Sequence, residues 1–507
     1  MKKKYVRWTL WTIASPFILF VILCILIYLP PIQNFLVDKA AVYASEATGM
    51  NISVGRISLS FPLNLVVTDV DAASPHNDTL LSVRRLQVNV QLLPLLKKQV
   101  EVDGISLQGA TVNSNDLIHG MKLNGTLREL FISSHGVALD PETAIVNKVL
   151  LKDTDLSLCL NDTAAVDTAA SDTTYWKIIL QDIDLQNVSF ALDMPLDSLS
   201  LAASLDNAIL RDGLIDLHKS AYSLQTFRIK NGRVRYDSGK PLAADSLPSG
   251  LDPSHIALTD IGVKLDSLYY EGRNMKAIIS QFVLKERSGV EIVSATGRMV
   301  SNDKVLRVPS LKLETRDSYL ELNAAMDWNA LDFKGEGLVS ARLMADIGKP
   351  DVVRFMGRMD EKFVRQYPSE PLRIRTGIDG DLNKLKLTTL TAELPGALGL
   401  FARGELTHLT DSLLRGGDIT LEAETKDLKF VSTLAEGIEI PYGTRLEGKF
   451  TMAGAKMGTD LLLMQPEAQA VAAADTIPIT VYNDSISVAD DFKMERAARL
   501  FAKYDLS

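Results

Sequence analysis

The chain carries six histidines, two cysteines and 63 aspartates and glutamates, the residue types from which metal centres, nucleophiles and acid–base pairs are made. The histidines, His76, His119, His135, His218, His255 and His408, are scattered, and none is paired at the spacing a metal needs. No His-Glu-x-x-His motif, nucleophile elbow, Walker loop or dinucleotide fingerprint occurs. The acidic residues sit mainly at turns. Read this way, the chain is not an enzyme and has no catalytic residue, metal or cofactor. An exported hydrolase, the remaining alternative, would need a compact polar cluster that sequence alone does not display.

Cys24 stands inside an apolar segment, and Cys159 stands in Leu156-Ser157-Leu158-Cys159-Leu160, an alternating strand pattern. If the first is in a membrane, the second has no exported partner, which excludes disulfide scaffolds and redox pairs. Cys159 is expected to be a half-buried, unreactive thiol. One tripeptide recurs, Asp followed by Ser or Thr and an apolar residue: Asp78-Thr79-Leu80, Asp162-Thr163-Ala164, Asp197-Ser198-Leu199, Asp266-Ser267-Leu268 and Asp484-Ser485-Ile486. Turn chemistry before a strand explains it. A second reading is that these tripeptides resemble acceptor sites of a bacterial periplasmic O-glycosylation system. Net charge is −9, so the chain offers nothing to neutralise a phosphate backbone and nucleic acid is a poor partner.

The elements that position these residues begin with Lys2, Lys3, Lys4 and Arg7, directly before an apolar span from Trp8 to Leu29. As a helix that span rises about 33 Å, enough for a hydrocarbon core of about 30 Å. Trp8, Trp11, Phe17, Phe20 and Leu29 are candidate anchor residues. The one-sided basic cluster predicts a single-pass protein with a cytoplasmic N-terminus and its bulk across the membrane. A cleaved secretory signal is the rival, but the span is long for one and Tyr28-Leu29-Pro30-Pro31 is a poor cleavage site. Residues 1–30 are therefore read as a signal anchor and residues 31–50 as a juxtamembrane helix, with Pro31 at its start and Gly49 past its end.

From residue 51 to 463 the apolar period is 2. Ile52 and Val54, Leu86, Val88, Val90 and Leu92, Leu156, Leu158 and Leu160, and Ile419, Leu421 and Ala423 alternate with polar residues. Asp103-Gly104, Asn124-Gly125, Asp212-Gly213 and Asn231-Gly232 are read as turns between strands. The expectation is one long antiparallel β structure with a single apolar face and a degenerate repeat. Asn161–Thr174 and Gly239–His255 read as loops. Asp351–Tyr367 reads as one amphipathic helix, capped by Asp351, stopped by Pro368 and covering a sheet end. Residues 464–507 form a divergent tail, with Asp490–Lys503 expected to be a short helix, as though the chain were a truncated or rearranged form of something longer.

The order of segments carries a resemblance. The anchor and helix are followed by Thr48-Gly49-Met50-Asn51-Ile52-Ser53-Val54-Gly55-Arg56-Ile57, by Phe61-Pro62-Leu63-Asn64-Leu65-Val66-Val67-Thr68-Asp69-Val70, and by Leu80-Leu81-Ser82-Val83-Arg84-Arg85-Leu86-Gln87-Val88 leading to Leu93-Pro94-Leu95-Leu96. This resembles the start of the TamB proteins and the wider AsmA-like family of diderm envelopes. The resemblance implies an inner-membrane protein with an elongated, taco-like antiparallel β-groove in the periplasm and few helices. It also implies carriage of phospholipid between inner and outer membrane. The alternative it implies is a scaffold or docking module for outer-membrane protein assembly. On this reading Leu86, Val88, Val90, Leu92, Leu156, Leu158 and Leu160 are candidate groove-lining residues. The family's C-terminal domain, which meets an outer-membrane β-barrel partner, is not recognisable here, so that partner is not carried over.

Overall fold

The computed structural model describes residues 39, 41, 42, 45, 50–60, 64–74, 79–91, 102–118, 121–138, 142–161, 175–239, 250–330, 337–357, 361–434, 442–454, 456–466, 487–488 and 495–505. The anchor at Trp8–Leu29 and the loops at 162–174 and 240–249 lie outside them, as does the candidate Leu92. Among the described residues no helix is long and apolar enough to cross a membrane. Lys39, Ala41, Val42 and Ser45, inside the expected juxtamembrane helix, are helical. The fold is mainly β. It divides into two compact units, residues 1–241 and 242–507.

The first unit is one sheet. Its strands are β1 (Asn51–Ser60), β2 (Asn64–Ala73), β3 (Thr79–Val90), β4 (Val102–Ile118), β5 (Met121–Ala138), β6 (Thr143–Leu160), β7 (Lys177–Met194), β8 (Leu199–Asp216), β9 (Ala221–Leu224) and β10 (Thr226–Ser238). Each of β1 to β8 lies beside the next, and β9 and β10 both pair with β8. The pairing is antiparallel except between β6 and β7, which run parallel. That corrects the wholly antiparallel expectation. An antiparallel neighbour needs only a tight turn, whereas a parallel one needs a connection of about a dozen residues or more. Residues 161–176 between these two strands meet that requirement.

The four pairs read as turns are a second correction. Asp103-Gly104 lies in β4, Asn124-Gly125 in β5, Asp212-Gly213 in β8 and Asn231-Gly232 in β10. Asp212 and Asn231 do adopt the left-handed conformation that such pairs favour, at φ 51° and 53°. They adopt it in mid-strand, because ladder pairs immediately before and after each residue hold the backbone.

The second unit continues the theme with shorter strands: β11 (His255–Glu271), β12 (Asn274–Glu286), β13 (Glu291–Ser301), β14 (Val305–Thr315), β15 (Tyr319–Asp327), β16 (Val339–Ile347), β17 (Leu372–Gly380), β18 (Lys384–Leu394), β19 (Leu398–Thr407), β20 (Gly416–Thr425), β21 (Arg445–Ala453), β22 (Lys456–Pro466), β23 (Ser487–Val488) and β24 (Glu495–Asp505). From β11 to β22 every strand pairs antiparallel with the next. β24 then pairs with β22 along its length, from Lys456–Asp505 to Pro466–Glu495. The expected helix at Asp490–Lys503 is thus a strand over Glu495–Asp505. Ala497, Ala498, Leu500 and Phe501 fit either period, and the free N–H and C=O groups along the β22 edge decide between them.

Between β16 and β17 lie two helices, α1 (Lys349–Met356) and α2 (Glu361–Gln366). The single helix expected at Asp351–Tyr367 is broken at Gly357, where φ is 73°. The N-cap is Gly348, not Asp351. The helices do cover a sheet end. Phe363 and Tyr367 pack with Leu394, Ala397, Leu428 and Phe430 into the buried apolar cluster of this unit. Phe363 and Phe430 meet edge to face at 5.8 Å between ring centroids, and burial pushes the Tyr367 hydroxyl pKa up.

Candidate functional site

In the first unit, register converts alternation into rows that cross the whole sheet. One runs Leu59, Leu65, Val88, Ile105, Ile132, Val149, Ile183, Leu210 and Phe227, each directly paired with the next. The row beside it runs Ile57, Val67, Leu86, Leu107, Leu130, Leu151, Leu185, Ala208 and Ile229. Every member of both is apolar. Between them in sequence lies a mixed row through Gln87, and on the far side a polar row through Arg85, Gln108, Glu129, Lys152, Gln186, Asn207 and Lys230. Directly opposed residues in a sheet share a face, so one face is apolar across nine strands.

The candidates fall on these rows. Leu86 and Val88 are members of the two just traced. Leu156 belongs to a third, with Gly125 on one side and Phe190 on the other, and Leu158 to a fourth with Leu123 and Leu192. Leu160 pairs with Met121. Val90 pairs with Val102 at the end of β3. The side chains of Leu86, Val88, Val90, Leu156, Leu158 and Leu160 are all half-buried. Among the described residues, the buried apolar side chains of this unit are only Ala72, Leu80, Val83, Ala208 and Ala221, and the extensive contacts of its strands are with their sheet neighbours. The described residues therefore seal little of the apolar face in a core.

The same sheet contains a feature the sequence reading missed. Along one line across the sheet a position drops out of the ladder in every pairing: Gly55, Asp69, Arg84, Gly109, Arg128, Asp153, Asn187, Asp206 and Asn231. These positions form one transverse crease. Asp69, Gly109, Asp153, Asn187 and Asn231 are left-handed, with φ between 45° and 61°. At Gly109 the requirement is double, since a Cβ there would also stand 3.1 Å from the Arg84 Cβ. Elsewhere Asp and Asn serve because they tolerate this conformation best after glycine.

The left-handed residue advances the chain by one position, so apolar residues on both sides keep to one face. Val149 and Leu151 precede the crease in β6, and Thr154, Leu156 and Leu158 follow it. The outward side chains tie the crease together. Arg128 Nη1 donates to Asp153 Oδ2 at 2.9 Å, and Asn187 Nδ2 donates to Asp153 Oδ1 at 2.8 Å. The Asn187 bond first, and then Arg128, hold the Asp153 carboxyl below its ordinary value. Asn231 donates to Asp206. A shallow depression of about 560 Å³ lies here, lined by Arg84, Gly109, Thr126, Arg128 and Asp153 among others. The readable signal was a slip of phase, apolar-x-apolar-x-x-apolar-x-apolar, as in Leu81-x-Val83-x-x-Leu86-x-Val88 and Ile183-x-Leu185-x-x-Val188-x-Phe190, with Thr154 or a glycine at one position in β5, β6 and β10.

The second unit carries the same design. Val263, Phe282, Ala295, Leu313, Leu320, Ala345, Ile374, Ala392, Leu400, Ala423, Leu446, Leu463 and Ala498 are paired in turn across thirteen strands, without a polar member. At one end of this sheet Asp351, 1% exposed, accepts from Thr315 Oγ1, from Ser318 Oγ at 2.6 Å and from Arg354 Nη1 at 3.0 Å. The same Arg354 nitrogen reaches Asp317 at 2.8 Å. This network clips α1 to the β14–β15 turn, which accounts for a carboxylate the sequence assigned to a cap.

Among the described residues no group of three or more His, Cys, Asp or Glu could hold a metal. His255 is fastened to Asp252 at 3.0 Å at the start of β11, and His218 stacks edge-on against Tyr175 at 5.4 Å. Cys159 is half-buried, and its Sγ donates to Asn161 Oδ1 at 3.3 Å. Of the Asp-Ser/Thr tripeptides, Asp197-Ser198 ends an exposed 3-10 turn, whereas Asp266-Ser267 lies within β11.

No family model, curated protein or solved structure matches the chain.

Proposed function

We propose that the chain is an inner-membrane-anchored periplasmic protein that carries phospholipid along the apolar face of its sheets, as its resemblance to TamB and AsmA-like proteins implies. The observation that supports this reading is the set of unbroken apolar rows, nine strands wide in one unit and thirteen in the other, with little of their surface sealed in a core. Such a face must be covered, closed or offered to an apolar ligand. An acyl chain laid on it gains about 0.8 kcal/mol per methylene removed from water. The rows cross the strands at a spacing of about 4.8 Å, so a chain of lipid can pass from strand to strand without meeting a polar position.

The test is extraction of the full-length protein in mild detergent, followed by lipid analysis by mass spectrometry. Phospholipid bound to the wild type and depleted in Val88→Asp and Ile132→Asp supports the reading. A protein that carries no lipid in either form sinks it. Crosslinking of an unfolded barrel client to lipid-free protein would favour the assembly-scaffold alternative instead.

A further inference from the structure

The most exposed large apolar side chain among the described residues is Leu413, at 86%, and its neighbour Leu414 is 63% exposed. Both stand on the loop that joins β19 to β20. The loop is held from several directions. Asp411 Oδ1 accepts the N–H of Leu413 at 2.8 Å and of Leu414 at 3.2 Å. The backbone of His408 and Leu409 bonds to the preceding hairpin at Asn383 and Leu382, and Gly454 N–H donates to Arg415 C=O at 2.6 Å. The two leucines are thus displayed by a fixed loop, and their own N–H groups are already satisfied. Such a tip can enter an apolar medium without stranding those two donors.

Arg415 follows directly. Its Nε is buried without a hydrogen-bond partner. The apolar face reaches the base of the loop, where Leu385 pairs with Leu406. A protruding leucine pair beside a guanidinium matches a lipid surface: acyl chains for the leucines and a phosphate for the arginine.

We propose that the 408–415 loop is a membrane-contact tip that seats Leu413 and Leu414 in the interface of an anionic bilayer while Arg415 engages a lipid phosphate. This deepens the lipid-carrier reading and rests on it for its purpose, since the contact would place the end of the apolar face at a bilayer.

The full-length chain, held by its own N-terminal segment in nanodiscs, is mixed with separate liposomes of phosphatidylcholine with or without phosphatidylglycerol, and liposome capture is measured by flotation. Leu413→Asp/Leu414→Asp should lower capture about tenfold or more. Arg415→Gln should remove the preference for phosphatidylglycerol. Leu196→Asp, at a leucine 65% exposed elsewhere, should change nothing. Because Leu413 and Leu414 are exposed, the double variant should melt like the wild type. Equal capture by the wild type and the double variant, or no capture by either, overturns the proposal. Phospholipid bound to each variant is quantified separately, on detergent-extracted protein taken before nanodisc assembly. Lost capture with lipid absent from every sample upholds the tip and removes the carrier reading, whereas retained capture with lipid present does the reverse.

Discussion

The two units solve the same problem differently. Both are sheets with one apolar face. In the first, strands of 17 or 18 residues, as in β4 to β8, are interrupted by a crease of left-handed residues and leave the face half-exposed. In the second, most strands have 9 to 13 residues, no crease crosses them in line, and one end is sealed by α2 and its aromatic cluster. Long strands accumulate twist, and a row of bulge-like positions re-aims all of them together. Short strands need no such device, but they leave an end that a helix can cover. The contrast assigns stability in the second unit to a compact plug, and in the first to a distributed ladder in which no side chain dominates.

The comparison breaks most directly at the plug. Phe363→Ala should cost about 3–5 kcal/mol, and hydrogen exchange should show that loss in residues 242–507 while the first unit is unchanged. A loss spread equally over both units would mean that the plug is not local. Asp351→Asn removes the charge that gathers Thr315, Ser318 and Arg354, and should cost about 1–3 kcal/mol, read as a lower denaturant midpoint for the same unit. The crease is the matching target in the first unit. Asn187→Val places a β-branched residue at φ 52° and should cost about 1–2 kcal/mol, whereas Asn187→Gly should stay within a few tenths of wild type by the same measurement.

The smallest effect concerns pH. The Asp153 pKa is lowered in the folded protein from an ordinary 3.8. Its contribution is present above that value and is lost as pH falls through the lower folded value. Asp153→Asn should therefore lower the neutral-pH denaturant midpoint of the first unit slightly, and the difference from the wild type, followed by circular dichroism, should shrink as pH falls below about 4.

Much of this was legible in the residues. Alternation placed strands at Ile52–Val54, Leu86–Val90, Leu156–Leu160 and Ile419–Ala423, and each lies in a strand. The helical spacing from Val352 to Val364 marked the plug, although Gly357 splits it. Asn124-Gly125 and Asn231-Gly232 misled: both lie inside a strand, and only at Asn231 is the left-handed preference met there. Asp351 misled for a similar reason: at a helix start the sequence suggests a cap, yet its partners Thr315 and Ser318 lie more than thirty residues away.

By itself, the sequence determined that this chain forms sheets with one apolar face, because a period of 2 admits no other economical burial. It also determined that an apolar span of membrane length follows a basic cluster. Only the tertiary structure decided that β6 and β7 run parallel, that Glu495–Asp505 is a strand and that left-handed residues align into a crease. Local preferences are worth about 1 kcal/mol per residue or less. The ladder of hydrogen bonds along an adjacent strand edge exceeds them, and that edge is built from residues remote in sequence.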